Sequence, residues 1–177
     1  MKLKYYIILF ILICTTPCLS HAEQTQSLTA RIENAKYQKE SSSITLDFIL
    51  TNSSEKPIRI AERWNSWGAF QWSIKITNSD RTVIDFKNPQ MAWFRNFLSI
   101  VTIEPGEELH SHCILILQAA QSNENGSFTF IPTMPATRFS FPLSIIGVFA
   151  SPKLYKLGKV DTNWTGSITT PALQLTE

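Results

Sequence analysis

Apolar and polar side chains alternate with a period of two along most of this chain, and the clearest case begins at Trp72. There Trp72, Ile74 and Ile76 alternate with Ser73, Lys75 and Thr77, as in a strand with one buried face. The stretch leading into it, WNSWGAFQWSIKI, holds three of the five tryptophans. Burying each large apolar side chain is worth roughly 1.5 to 3 kcal/mol, so this strand is predicted to nucleate the core.

The same alternation recurs on both sides of that stretch. Leu28, Ala30 and Ile32 face away from Thr29, Arg31 and Glu33, and Ile44, Leu46, Phe48 and Leu50 alternate with Thr45, Asp47, Ile49 and Thr51. Asn52 to Pro57 reads as a turn, Ile58 and Ile60 as a short strand, and Trp64 to Phe70 as a loop in which Gly68 permits a backbone conformation closed to other residues. Asn78-Ser79-Asp80-Arg81 predicts a hairpin from Trp72–Thr77 to Val83, Ile84 and Phe86. The AWFRNF segment is irregular or a single helical turn. Leu98 to Ile103 is a strand, ended by Glu104-Pro105-Gly106-Glu107 with proline and glycine in mid-turn. Leu109 to Leu117 returns from it, nearly continuous in apolar character beyond His112, and is predicted to be central and covered on both sides. Phe128 and Phe130, Ile145 to Ala150 and Ile168 to Leu175 complete the set. No stretch longer than a turn has a helical period. Strands every eight to twelve residues or so predict an all-β chain: an immunoglobulin-like β-sandwich of seven to nine antiparallel strands with no inter-sheet disulfide.

The first residues add a location. Lys2 and Lys4, the apolar run Tyr5 to Ile13 and Ser20-His21-Ala22 have the three-part form of a secretory signal cut after Ala22, and the run is shorter than the roughly 18 residues that span a bilayer. Two units follow: a signal peptide, 1–22, and one domain, 23–177, exported to a periplasmic or extracellular space with no stable membrane insertion. Lys2 and Lys4 leave with the signal, so the sixteen Lys and Arg fall to fourteen, matching the fourteen Asp and Glu. A neutral chain supplies no basic surface of the extent that phosphate-backbone binding needs, which argues against nucleic acid as a partner. Cys14 and Cys18 also leave, and Cys113 remains alone.

Few residues suggest chemistry. His110 and His112 share one face of a strand and make half of a divalent metal site, for which Glu108 is the third candidate ligand; solvent-facing histidines are the reading preferred, with no metal and no cofactor. Cys113 has the parity of the core, which points to a buried thiol acting as a small hydrophobe, and His112 faces away from it. Glu107 with Glu108, and Asp80 with Asp85, do not converge as acid–base pairs do. Phosphate-loop, nucleophile-elbow and zinc-protease motifs are absent. The aromatics are more suggestive. Trp64, Trp67, Trp93 and Phe94 fall in loops, either as an exposed platform for a sugar ring or an apolar partner, or folded back to cap the open ends of the sandwich. N-x-S/T sequons occur at Asn52, Asn125 and Asn163.

The strand ending Leu50-Thr51-Asn52, the turn to Pro57-Ile58, the WSIKITNSDRTVIDF hairpin and the approach to Glu104-Pro105-Gly106-Glu107 together resemble bacterial BsuPI-type proteinase inhibitors. The end of the chain, Trp164-Thr165-Gly166-Ser167 before Pro171, Leu173 and Leu175, is similar to the W-x-G and final strand that close such domains. This resemblance implies an Ig-like sandwich and, as one possible activity, inhibition of a proteinase by an extended loop. The residues themselves favour an exported, non-enzymatic module that binds another protein, with carbohydrate binding by the loop tryptophans as an alternative.

Overall fold

Thirteen strands and one helical turn organise the described residues of the computed structural model, which are 28–63, 65–88, 97–117, 128–133, 138–151, 154–158 and 160–177. The strands are β1 (Leu28–Gln38), β2 (Ser43–Asn52), β3 (Ile58–Ala61), β4 (Trp72–Thr77), β5 (Val83–Lys87), β6 (Ile100–Ile103), β7 (Glu108–Ile116), β8 (Phe128–Pro132), β9 (Leu143–Ser151), β10 (Lys156–Leu157), β11 (Val160–Asp161), β12 (Gly166–Thr169) and β13 (Leu173–Leu175); the turn is α1 (Ser66–Ala69). Eight strands form one hydrogen-bonded path, β1-β2-β7-β8-β5-β4-β9-β12, and β13 also pairs with β9. β3 with β6, and β10 with β11, make separate ribbons.

The path doubles over at β8. Cys113, Ile114 and Leu115 of β7 pair with residues 128–130 in parallel, whereas Phe86 and Lys87 of β5 pair antiparallel with Pro132 and Ile131. The two halves therefore face each other as a sandwich, and contacts of β1 with β9, β12 and β13 draw it toward a barrel. Aromatic side chains fill the interior. Phe48 of β2 meets Trp72 of β4 edge-on with ring centroids 4.8 Å apart, Trp72 meets Phe149 at 4.9 Å, and Phe149 meets Trp164 at 5.4 Å. Trp72 is 2% exposed, as its alternation predicts.

The all-β reading and the Trp72–Phe86 hairpin agree with the structure; several details differ. Thirteen strands among the described residues exceed the seven to nine expected, partly because β10 and β11 are two-residue pieces and the last strand is split. The split falls at Thr170, whose N–H donates to Gly147 O and whose Oγ1 accepts from Gly147 N–H, both at 2.9 Å, so a kinked chain keeps its place beside β9. Not every ladder is antiparallel, since β7–β8 is parallel.

The Glu104–Glu107 turn forms, with Glu107 N–H donating to Glu104 O and Gly106 at φ 80, but it does not close a hairpin. β6 pairs with β3, and β7 with β2 and β8. Buried Asn52 stitches the change of sheet: its Nδ2 donates to Lys56 O and to Ile103 O, while its backbone bonds Gly106 and Glu107. A strand-end asparagine thus ties the main sheet to the β3–β6 ribbon, and its sequon nitrogen is occupied.

β7 lies inside the path, between β2 and β8; beyond His112 its Cys113 and Leu115 are buried and its Ile114 and Ile116 are partly covered, whereas His110 and His112 on the outer face stand exposed. Gly68 also has a different explanation from the one expected. It belongs to α1, and a Cβ there would lie 2.1 Å from Glu62 O. Close approach of α1 to the chain leaving β3 requires glycine at this position, not an unusual φ.

Candidate functional site

α1 exists because Asn65 caps it. The Asn65 side chain accepts from Gly68 N–H at 3.0 Å, and its Nδ2 donates to Ser99 O and Ser99 Oγ at 3.1 Å, so a buried asparagine fixes one helical turn to the segment before β6. Trp67 and Phe70 are three positions apart and share one side of that turn. Trp67 is half-buried, with its ring edge-on to Tyr155 at 6.5 Å and 73°. Phe70 is 59% exposed and Leu154, next to Tyr155, is 60% exposed. Tyr155 is held by reciprocal bonds with Thr162, its N–H donating to Thr162 Oγ1 and its O accepting from Thr162 N–H, each at 2.8 Å. These bonds close the base of the β10–β11 hairpin, and the Trp67–Tyr155 contact ties it to α1.

Of the tryptophans suggested by sequence, Trp67 alone has a described place; Trp64, Trp93 and Phe94 lie outside the described residues. Tyr155 was not foreseen as the partner of Trp67. The available signal was the K-L-Y-K-L-G-K run at 153–159, which places apolar residues between lysines, but nothing local indicates that it folds against α1.

A second unforeseen residue is Arg63, just before this end. It is 7% exposed, and its guanidinium carbon stands 4.7 Å from the centre of the Trp72 ring and 5.5 Å from that of Phe130. Both terminal nitrogens lie 3.7 Å from Cys113 Sγ. Guanidinium is planar, delocalised and weakly hydrated, which is why arginine is the cation that tolerates stacking between rings. Burial pulls the Arg63 pKa down, opposed by Cys113, and pushes the Cys113 thiol up, opposed by Arg63. The Cys113 S–H donates to Ser111 O at 3.3 Å. A buried thiol held in this way is a poor nucleophile.

The histidine face carries two separate polar networks, one around Arg31 and Glu108 and one around Asp47. Arg31 grips Glu108 with both terminal nitrogens, at 2.8 and 3.0 Å, and reaches Glu33 with Nε at 2.6 Å. His110 Nε2 is 3.2 Å from the same Glu108 carboxylate. His112 Nδ1 is 2.9 Å from Asp47 Oδ1, whose other oxygen accepts from Asn34 Nδ2 at 2.8 Å. Arg31 holds Glu108 well below its ordinary value, at about 2, and Asn34 with His112 lowers Asp47. Glu108, the third ligand considered for a metal, is thus committed to an arginine. Among the described residues, no group of three or more His, Cys, Asp and Glu side chains stands close enough to hold a metal ion. Neither a protein-family model nor a curated protein matches the chain.

Proposed function

We propose that this chain is an exported, non-enzymatic interaction module, released by cleavage after Ala22, that binds its partner through the end of the sandwich formed by α1 and the β10–β11 hairpin. The observation that carries this reading is the contact of Trp67 with Tyr155, with Phe70, three positions after Trp67, and Leu154, next to Tyr155 in sequence, each more than half exposed. Exposed apolar side chains that flank a tertiary aromatic contact are candidates for a contact surface. The 73° between the Trp67 and Tyr155 rings offers no single flat platform, which favours an irregular apolar partner over a sugar ring. In this reading the sandwich is immunoglobulin-like, supported by β8, which pairs with one sheet in parallel and with the other antiparallel.

The test is site-specific photo-cross-linking. With Phe70→p-benzoylphenylalanine in cells making the full chain, adducts form that Lys87→p-benzoylphenylalanine does not give, and the product begins at Glu23. Identical adduct patterns at the two positions, or none at either, would overturn the contact surface; a product retaining Met1 would overturn export with cleavage.

A further inference from the structure

The β3–β6 ribbon has one edge that nothing in the described residues closes. Glu62 N–H donates to Ser99 O at 3.0 Å, one register step beyond the pairing of Ala61 with Ile100. Bonded pairs alternate along an antiparallel ladder, so Ile60 with Val101 and Ile58 with Ile103 are the bonded pairs of this ribbon. Arg59 therefore turns its backbone groups outward, and Asn163 takes both: Arg59 N–H donates to Asn163 Oδ1 at 2.6 Å, and Arg59 O accepts from Asn163 N–H at 3.1 Å. By the same alternation the N–H and C=O groups of Ile100 and Thr102 point away from β3. Among the described residues none of them has a hydrogen-bond partner. Thr102 is exposed, and Ile100 and Val101 are half-buried.

This edge is held in place at both ends by buried asparagines. Asn65 Nδ2 donates to Ser99 O at 3.1 Å, and Asn52 Nδ2 to Ile103 O at 2.8 Å, so little ordering remains to be done when a strand arrives. Ile100, Val101, Thr102 and Ile103 are all β-branched, and none is charged. Strand edges left to solvent are ordinarily blunted by charges, bulges or proline. The two ends of the main sheet follow that rule: β1 carries a register shift between Glu33 and Lys36 with Asn34 at φ 52, and the last strand breaks at Thr170 before Pro171. β6 has none of these devices. We infer that its edge pairs with β6 of a second copy of this chain, antiparallel about a twofold axis at Val101. The edge is self-complementary there, because the free groups at 100 and 102 lie symmetrically about 101. Ile100 of each copy exchanges both its hydrogen bonds with Thr102 of the other, and two ribbons become one four-stranded sheet. No like charges on the two strands oppose the meeting. The inference stands apart from the α1 contact surface.

Sedimentation velocity on the protein recovered from cells making the full chain tests it. So short a ladder makes a small interface, and the measured mass rises from monomer toward dimer between about 1 and 300 µM. Thr102→Pro removes an outward N–H that the β3 ladder does not use, so it leaves the melting temperature near that of the unsubstituted chain and weakens association about tenfold or more. Val101→Cys places two thiols across a non-bonded pair, where Cα atoms stand about 4.5 Å apart and a disulfide can form. Under mild oxidation it links two copies at least about tenfold faster than Val83→Cys, although Val83 is 54% exposed and its thiol is the easier to reach. A monomer at every concentration, association of Thr102→Pro equal to that of the original, or linking at 101 no faster than at 83 would overturn the inference. Should Thr102→Pro fail to fold, the comparison of the two cysteine variants decides it.

Discussion

Gly147 leaves the space that the Phe48 ring occupies: a Cβ at residue 147 would stand 2.2 Å from Phe48 Cε2 and 2.7 Å from Cδ2. β2 and β9 belong to opposite halves of the sandwich, so this contact sets how closely the halves approach. Gly147→Ala is expected to destabilise the fold by roughly 1 to 3 kcal/mol through overpacking. Urea unfolding measures it, and Phe48→Leu in the same chain is expected to recover part of the loss. Additive losses in the double variant would show that the two residues do not compete for this space.

Arg63 fills volume between Trp72 and Phe130, and its loss leaves a void as well as removing a charge. Arg63→Ala is expected to cost about 2 to 5 kcal/mol, in the range of large core truncations. Arg63→Lys is expected to recover little, because an ammonium cannot stack on both rings. Denaturation midpoints and the fluorescence of Trp72 report the outcome, and full recovery by lysine would show that charge alone matters at this position.

Cys113 is buried, and its thiol is pushed up in pKa, so the thiolate is scarce in the native state. Iodoacetamide modification at neutral pH is expected to be about a hundredfold or more slower in native than in denatured protein. Labelling followed by mass spectrometry checks it. Rapid native modification would mean that this part of the core opens readily.

Glu108 is depressed from its ordinary 4.5 to about 2, chiefly by the two Arg31 bonds. A depressed folded value means that this contribution to stability is fully present above pH 4.5 and is lost as pH falls through about 2. The pair lies at the surface, so the effect is small and salt-sensitive. In Glu108→Gln the Glu108 part of the stability slope between those two pH values is expected to vanish, read from melting temperatures against pH. An unchanged slope would assign acid sensitivity to Asp47 or another carboxylate.

The alternation of side chains determined much of this protein on its own. Period two states which face of a strand is dry wherever the strand ends up, so the burial of Trp72, Ile74, Leu46, Phe48 and Cys113, the Val83–Phe86 return and the Pro-Gly turn at 104–107 were all legible. Histidines at 110 and 112 were placed on the exposed face by the same rule. Tertiary structure alone decided which strands became neighbours, because partner choice depends on contacts between distant segments that local period does not encode. The turn at 104–107 looks like a hairpin turn, yet its two arms enter different sheets, β6 the ribbon with β3 and β7 the main sheet, and Asn52 bonds to both the end of β6 and the turn. The glycines at 68 and 147 carry no local sign of their reasons, which are a backbone and a ring arriving from elsewhere. Arg63 reads as a surface charge until Trp72 and Phe130 close on it, and Trp67 and Tyr155 are joined only when the β10–β11 hairpin folds back on α1.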